Sequence, residues 1–371
     1  MSAKGTALSG GAKSDQWPPR FWKWLVGFWR RHGVVRLTVR RLGAMVVLAF
    51  GISLVAFVLT HSVPSDPVRA NLGARAAANP AIRNAYMQRY GLDKPLPVQY
   101  VIYVENLFHG NLGISQTTGQ AVTTDLAETV PASVELGIVT VLLSTLVGLP
   151  LGLLAAVRRG TFLDSGIKVI ALAGIAAPSF WVGLIGIFVF SFVLHIAPGS
   201  GRLDPGVLAP HHITGMYTLD ALLSGDFGTF LDALHHLILP AAVVSLALFG
   251  VLQRFTRAAV LEVLENDYVT AARAKGLPGR RVLVRYAFRA ALTPVLTLSG
   301  IEFATLMAGD VLVETVFAFP GVGRYAAIVA TNLDIAAITG VSILVAAIYL
   351  VTNFLVDVLY AVIDPRVRLA E

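Results

Sequence analysis

Residues 132–157, ASVELGIVTVLLSTLVGLPLGLLAAV, form an apolar stretch interrupted by a single charged residue, Glu135. A helix that crosses a bilayer needs about 20 consecutive, mostly apolar residues, and this stretch supplies them. The Gly and Pro residues within it do not exclude a helix, because neighbouring helices in a membrane bundle can satisfy the carbonyls they free. The stretch therefore predicts a transmembrane helix.

Five further segments have the same character, so the sequence predicts an all-α membrane protein with six transmembrane helices. The predicted spans are 42–60, 132–157, 167–195, 235–256, 287–313 and 335–362. The fourth has the weakest signal because its apolar core is short. The charged content supports this fold class, since only 14% of the 371 residues are charged, against about 25% in soluble domains.

Composition also excludes several kinds of site and partner. The chain has no cysteine, which excludes disulfides, thiolate metal sites and cysteine nucleophiles. Its formal net charge of +7 is attributed to positive residues retained on the cytoplasmic side of a membrane rather than to nucleic-acid binding. We therefore expect a lipid membrane and no nucleic acid among the partners.

The distribution of Lys and Arg predicts the orientation. With both termini in the cytoplasm, the cytoplasmic segments hold 22 of the 29 basic residues. Five of the remaining seven lie in the external loop 61–130, which is long enough to escape the positive-inside bias. An even number of spans places both termini on the same side of the membrane, and both termini are basic, as expected for the cytoplasmic side.

Four regions lie outside or between the spans. Residues 1–41 are predicted as a cytoplasmic tail containing an interfacial helix, in which basic residues alternate with Trp17, Trp22, Trp24 and Trp29. That helix anchors the first span (42–60), with docking of a partner subunit as the alternative. The proline-rich loop 61–130 predicts a small external cap. The core formed by the second to sixth spans follows at 131–363 and includes a cytoplasmic loop at 257–286, and residues 364–371 form a second cytoplasmic tail.

The cytoplasmic loop contains the most informative motif, EVLENDYVTAARAKGLPGRR at 262–281. Asn266 or Asp267 can cap the start of a short helix, and Gly276 stands where the left-handed residue after a helix is expected. Pro278 prevents the helix from resuming. So short a helix is not stable alone in water and needs a surface to pack on, and its small alanines suit a groove in another protein. The alternative is a solvated basic loop.

This motif resembles the signature loop of binding-protein-dependent ABC importer permeases, whose pattern is E-A-A, three residues, then G. Here the run is Thr270-Ala271-Ala272 followed by Gly276, with Thr in place of Glu. Within that family it is most similar to the first permease type of the dipeptide, oligopeptide and nickel branch, in which D-Y-x-x-x-A-R-A-K-G-L is typical. Supporting pieces are PSFW at 178–181, VETVF at 313–317, FPGVGR at 319–324 and DPR at 364–366. The resemblance covers about residues 36–368.

The resemblance implies a function and a set of partners. The chain would form half of a pathway for di- or oligopeptides, beside a paralogous permease subunit. Two cytoplasmic ATPase subunits would use ATP and Mg, so this chain would have no cofactor and no catalytic role of its own. An external substrate-binding protein would dock near the 61–130 cap and the 197–234 loop. The implied coupling residues are Asp267, Tyr268, Ala271, Ala272, Arg273, Lys275 and Gly276.

Ionisable residues inside predicted spans are functional candidates, because burying a charge in lipid is costly. Glu302 lies near the middle of the fifth span, Asp310 and Glu314 lie nearer its external end, and Asp357 lies in the sixth. These acids are candidates for the pathway. Hydrogen bonding between helices is an equal alternative for Glu302 and the favoured one for Asp357. The aromatic pair Phe180 and Trp181 follows Pro178, which marks a kink, and is a further pathway candidate.

No catalytic or metal site is predicted. The chain lacks a G-x-x-x-x-G-K-[ST] motif and a clear nucleophile–base constellation, so we expect no ATP hydrolysis by this chain and do not favour an intramembrane enzyme. The histidine pairs 211–212 and 235–236 lie near Asp220, Asp226 and Asp232 but lack a defined ligand spacing, so they are interpreted as polar loop residues.

Two alternative functions stay open. The first is an importer permease for nickel or another small solute. The second is an ion-coupled secondary carrier, in which Glu302, Asp310 and Asp357 would form a proton path. A carrier would usually show an internal repeat, which this sequence lacks, and would have no need for a capped docking helix.

Overall fold

The computed structural model describes residues 33–62, 68, 73, 75, 77–90, 92–307 and 310–363. Within these residues the regular structure is helical, and the one β pairing is an isolated antiparallel bridge between Ile114 and Ala121. The all-α expectation is therefore confirmed. The predicted tryptophan-rich helix and the 364–371 tail lie outside the described residues.

The described helices follow in chain order. They are α1 (Gly33–Ser62), α2 (Pro80–Tyr90), α3 (Leu96–Phe108), α4 (Val122–Val157), α5 (Phe162–Ala176), α6 (Ser179–Gly186, continuing as π-helix over Ile187–Val193), α7 (Tyr217–Ser224), α8 (Phe227–Leu264), α9 (Asp267–Ala274), α10 (Gly279–Val282, continuing as π-helix over Leu283–Phe288), α11 (Arg289–Met307), α12 (Val311–Val316), α13 (Val322–Thr331) and α14 (Ile335–Ile363).

Three of these helices are long and apolar enough to cross a membrane. They are α4, α8 and the Ile335–Val356 part of α14. A fourth candidate is the pair formed by α5 and α6, which are bent by 103° at a short break. Two shorter apolar stretches, Leu42–Val58 in α1 and Val295–Leu306 in α11, lie at the first and fifth predicted spans.

Four predicted spans differ from the observed helices. The second, expected over 132–157, begins ten residues earlier, because α4 starts at Val122. The third, expected as one kinked helix over 167–195, is two helices with a corner at Pro178, which forms the extended N-cap of α6. The fourth, expected to be the weakest, is the 38-residue helix α8, since its helical residues continue well beyond its apolar core. The fifth, expected over 287–313, ends at Met307, and a new helix begins after Asp310.

Helix α8 lies at the centre of the bundle and packs on α4, α5 and α11. Small residues allow the close approach to α4. A Cβ atom added at Gly152 would lie 2.7 Å from the Thr256 Cβ and 2.8 Å from the Gln253 carbonyl oxygen. Gly250 makes a similar contact with the Ala171 backbone of α5. Close backbone approach through small residues is the usual way in which membrane helices gain packing contacts.

The segment after α1 folds back against that helix. The Tyr100 hydroxyl of α3 lies 2.8 Å from the Ser53 hydroxyl of α1, and the rings of Phe57 and Tyr100 meet edge to face with centroids 5.4 Å apart. Helix α3 begins directly after Pro95, and Pro97 lies in its first turn, where the missing N–H has no acceptor within the helix.

Candidate functional site

The short helix α9 occupies the turn between α8 and α10 and spans eight residues, Asp267–Ala274. Asn266 is the N-cap residue by its backbone, since its carbonyl accepts from the Val269 N–H at 3.0 Å. Its side chain does not cap the helix. The Asn266 amide instead donates to the Glu262 carbonyl of α8 at 3.1 Å, which ties the start of α9 to the end of α8.

The other end of α9 has the geometry predicted for Gly276. This residue has φ of +77°, in the left-handed region. Its N–H donates to the Arg273 carbonyl at 2.9 Å, and the Leu277 N–H donates to the Ala272 carbonyl at 3.2 Å. These two bonds define the Schellman motif, in which glycine avoids the steric cost that a Cβ incurs at positive φ. The sequence predicted this end of the helix correctly.

The two faces of α9 have different surroundings. Val269 and Ala272 are buried, with 0% and 6% of their surface exposed. The other side chains of the helix are exposed, and they include Asp267, Tyr268, Ala271 and Arg273. Lys275 and Gly276 are exposed as well. Ala272, expected in the groove of a partner protein, therefore faces the core of its own chain instead, while the neighbouring Ala271 faces outward.

The buried face of α9 belongs to a continuous apolar core, here called the docking-end cluster. This cluster joins α9 to α4, α8, α10 and α11. Its buried members are Leu149, Ala156, Leu248, Leu252, Val260, Val263, Val269, Ala272, Val282, Ala287 and Val295. Because close-packed interiors transmit displacement, a shift of α9 must be shared with the helices that contribute to this cluster.

Three ion pairs brace the same end of the molecule. The Arg257 guanidinium of α8 makes a bidentate contact with the Asp164 carboxylate of α5, at 2.9 and 3.0 Å, and Lys168 adds a third contact at 2.9 Å. The Asp164 side chain is buried, so this pair fixes the start of α5 against α8. Arg159 and Glu265 form an exposed pair at 2.7 Å, close to the start of α9.

The predicted pathway residues do not form one site. Glu302 is half-buried within the apolar part of α11, and no described residue donates a hydrogen bond to its carboxylate. Phe180 and Trp181 begin α6 directly after the Pro178 corner and are 39% and 54% exposed. The side chain of Asp357 lies outside the described residues.

The other two acids have structural contacts, which argue against a pathway role for Glu314. Its buried carboxylate accepts from the Ser133 hydroxyl of α4 at 2.7 Å and from the Arg324 N–H at 2.9 Å, at the N-terminus of α13. Asp310 caps α12, since its side chain accepts from the Val313 N–H at 3.2 Å. Both acids lie beyond the end of α11 rather than within a span.

Two family descriptions match the chain. Residues 148–369 match the inner membrane component of binding-protein-dependent transport systems, and residues 34–137 match the N-terminal part of the membrane component of such systems. The chain belongs to this permease family. The resemblance carried by the 262–281 motif is thereby confirmed, and the permease is a multi-pass protein of the inner membrane.

Curated relatives are similar over nearly the whole permease. The probable D,D-dipeptide transport system permease protein DdpB of Escherichia coli K12 is 43% identical over 328 residues, which are 88% of this chain and 96% of the relative. The di/tripeptide transport system permease protein DppB of Pseudomonas aeruginosa UCBPP-PA14 is 43% identical over 329 residues, 89% and 97% of the two chains. The dipeptide transport system permease protein DppB of Escherichia coli K12 is 38% identical over 337 residues, 90% and 99%.

The permease also contains a buried ionic network that the sequence patterns did not predict. Glu135 of α4 and Arg202 are paired at 2.5 Å, and both side chains are almost fully buried. The second Glu135 oxygen accepts from the Thr218 N–H and hydroxyl, each at 2.6 Å, at the start of α7. The guanidinium carbon of Arg202 lies 3.5 Å from the centre of the Tyr217 ring. Glu135 is the one charge in an apolar stretch, which is the signal that could have identified it.

Asp220 organises the loop next to this network. Its buried carboxylate accepts from the N–H groups of Ile213, Thr214 and Gly215 and from the Thr214 hydroxyl. Burial raises the pKa of Asp220, but the hydrogen bonds outweigh burial, so the pKa lies below its ordinary value. The loop between α6 and α7 is thus held by buried polar contacts, and it meets α4 at Gly215, next to Pro131, and at the Arg202–Glu135 pair.

Proposed function

We propose that this permease forms half of the membrane pathway of an ATP-driven peptide importer, and that α9 is its coupling helix. The observation that carries the proposal is the division of α9 into two faces. Val269 and Ala272 fasten the helix to the docking-end cluster, while Asp267, Tyr268 and Ala271 remain exposed. The names of the relatives, which specify dipeptide and di/tripeptide transport, support peptides as the substrate class.

The coupling mechanism follows from this packing. Two cytoplasmic ATPase subunits would each receive one coupling helix, and they would hydrolyse ATP with Mg. Closure of the ATPases would displace α9 together with the ends of α8 and α11, because all three share one close-packed cluster. The displacement would switch the pathway between outward and inward access. Arg273 and Lys275 lie at the end of α9, where the helix dipole favours cations, and would supply polar contacts to the ATPase.

The membrane topology is also part of the proposal. The six apolar segments of the chain would form six spans with both termini in the cytoplasm. The three long helices, the bent α5–α6 pair and the shorter apolar parts of α1 and α11 support this count. The segment between α1 and α4 and the loop between α6 and α8 would then face outward, toward a substrate-binding protein.

A second permease subunit would complete the pathway. Glu302 is the acid best suited to face it, since it is half-buried in an apolar helix. Its carboxylate would contact the amino group of a peptide. Phe180 and Trp181 would line the pathway or the contact with the paralogous subunit, because they remain exposed at the corner of the bent pair. Asp357 stays a candidate on sequence grounds alone.

The coupling assignment can be tested with a bulky residue on the exposed face of α9. Ala271→Trp should weaken binding of the ATPase subunits to the permease in nanodiscs and lower peptide-stimulated ATP hydrolysis. The matched control is Ala330→Trp, which changes an exposed alanine in α13 at the opposite, predicted external end. If both variants bind the ATPase subunits as the wild type does, the coupling role of α9 is wrong.

Substrate class and driving force need a separate measurement. The assembled complex should import dipeptides only with ATP, and Glu302→Gln should raise the peptide concentration needed for half-maximal uptake. Uptake of nickel instead of peptides would favour the other branch of the family. Transport by the purified chain alone, driven by an ion gradient, would establish a secondary carrier instead.

A further inference from the structure

Three potential metal ligands meet where the loop after α6 crosses the first turns of α8. Asp232 and His236 are four residues apart and therefore lie on one face of α8, and Asp204 belongs to the loop. One ligand atom from each residue lies within 4.8 Å of the other two. The other members of the two histidine pairs, His211, His212 and His235, are not part of this group.

The orientation of His236 directs one ring nitrogen, Nε2, toward the two carboxylates. The imidazole is 3% exposed, and its Nδ1 lies 3.1 Å from the carbonyl oxygen of Ser200. A carbonyl can only accept, so Nδ1 carries the hydrogen of this bond. Metal-binding histidines are usually oriented in this way, with the second nitrogen donating to a carbonyl or carboxylate. The lone pair of Nε2 can then face a cation.

Two carboxylates converge on that nitrogen. The Nε2 atom lies 3.1 Å from an oxygen of Asp204 and 3.6 Å from an oxygen of Asp232. The second oxygen of Asp232 accepts from the Asp204 N–H at 2.9 Å, which fixes the direction of its first oxygen. The contact with Asp204 is within hydrogen-bond distance and the contact with Asp232 is not, so a ring N–H joins only two of the three residues. A cation in place of that hydrogen would join all three.

These separations fit a cation placed between the three groups. In a tetrahedral site with metal–ligand distances of about 2.0–2.2 Å, the ligand atoms lie roughly 3.3–3.6 Å apart. Of the two nitrogen–oxygen distances, 3.6 Å lies at the upper end of that range and 3.1 Å lies slightly below it. Two carboxylates and a neutral imidazole carry a net charge of −2, which a divalent cation neutralises and an imidazolium would only halve.

We propose that Asp204, Asp232 and His236 bind a divalent transition-metal cation of the Zn²⁺ type. One nitrogen and two oxygen ligands suit such a borderline cation better than Ca²⁺ or Mg²⁺, which prefer six or more oxygens. The Asp204 side chain is 64% exposed, so the cation has an entry route and a fourth position open to water. Bound metal would fasten the α6–α7 loop to α8. This inference is independent of the peptide-transport proposal.

The full-length permease, purified without a polyhistidine tag, should bind one Zn²⁺ per chain in a competition titration against a chromophoric chelator. His236→Gln and Asp232→Asn should each weaken that affinity by at least about 100-fold, since loss of an outer-sphere partner alone typically costs 10- to 100-fold. The matched control is His211→Gln, which removes an exposed histidine outside the group and should bind as the wild type does.

A second variant separates lost binding from lost folding. Asp204 is exposed, so Asp204→Asn should leave the elution profile on size-exclusion chromatography unchanged. Zn²⁺ should raise the melting temperature of the wild type and of His211→Gln but not that of Asp204→Asn. If the wild type retains no stoichiometric Zn²⁺, or if His236→Gln and His211→Gln bind Zn²⁺ equally, the three residues form only a charged hydrogen-bond group.

Discussion

Replacing Gly276 by alanine should separate coupling from folding. Gly276 has φ of +77°, and a Cβ atom there would meet nothing within 4 Å. The cost of the substitution is therefore confined to the backbone, where an L-residue in the left-handed helical region costs about 1–2 kcal/mol. The last turn of α9 would then fray more often. A cost of about 1–2 kcal/mol lowers the population of helices with an intact last turn by a factor of about 5–30.

The expected result is a loss of ATPase affinity within that range. Gly276→Ala in nanodiscs should bind the ATPase subunits about 5- to 30-fold more weakly and show a corresponding loss of peptide-stimulated ATP hydrolysis. Gly276→Asn should restore part of both, because asparagine tolerates positive φ better than alanine does. Insertion into the membrane and melting temperature should change little, since Gly276 is exposed and contributes no side-chain packing.

The chain supplies a matched control at the end of α7. Gly225 has φ of +75°, and a Cβ atom added to it would likewise meet nothing within 4 Å. It closes its helix with the same kind of backbone bonds, from its own N–H to Leu222 and from the Asp226 N–H to Ala221. Gly225→Ala should incur a similar local cost while leaving ATPase affinity unchanged. Equal ATPase binding by the Gly276→Ala variant, the Gly225→Ala variant and the wild type would refute the reasoning.

Three further comparisons follow from the buried contacts. Glu135→Gln should destabilise the permease by about 3–5 kcal/mol, because it leaves a buried guanidinium without its charge partner. Glu265→Gln, in an exposed pair, should cost at most about 1 kcal/mol of stability. Thermal unfolding in detergent measures both effects. Ala272→Leu should overpack the docking-end cluster and cost about 1–3 kcal/mol, while Ala271→Leu on the exposed face should stay within about 0.5 kcal/mol of the wild type in the same assay. The lowered pKa of Asp220 means that its ionised form stabilises the fold above the ordinary carboxyl pKa of about 3.9 and that this contribution is lost as the pH falls below that value. Melting temperatures measured between pH 3 and 7 should therefore fall more steeply with acid in the wild type than in Asp220→Asn.

Local chemistry made the ends of α9 predictable to different degrees. Gly276 followed by Pro278 specifies where the helix stops, because few other residues adopt positive φ and proline cannot continue a helix. The start was less certain, since Asn266 can donate as well as accept, and its side chain bonds back to α8 instead of capping. The sequence could place the N-cap position but not the direction of the amide.

The faces of α9 could not be predicted from the helix alone. Ala271 and Ala272 are chemically identical neighbours, so only the surface beneath them decides which one is buried. That surface comes from residues more than 100 positions away in α4 as well as from α8 and α11. The pairing of Glu135 with Arg202, 67 residues apart, is hidden from sequence patterns for the same reason.

The predicted ends of the transmembrane helices were wrong where a polar residue begins a new helix inside an apolar segment. The apolar residues through Val313 suggested one long helix, but Asp310 starts α12 with a side-chain cap. At Pro178 the sequence predicted a kink and could not give its size, because the 103° corner depends on how α5 and α6 pack on the rest of the bundle. The close contact of Gly183 in α6 with Phe317 is one such packing constraint.

Helix α8 connects the two ends of the molecule where sites are proposed. With 38 residues it is about 57 Å long, and it carries His236 near its start and Val260 of the docking-end cluster near its end. Gly152 and Gly250 bring α4 and α5 into direct backbone contact with the part of α8 that follows Pro240, so a displacement delivered at α9 should move that part as one unit. Pro240 lies between it and His236, and an interior proline is a place where a helix bends. The proposed metal group would tie the α6–α7 loop to the part of α8 before Pro240, so that loop should follow the displacement only as far as the helix transmits it through Pro240.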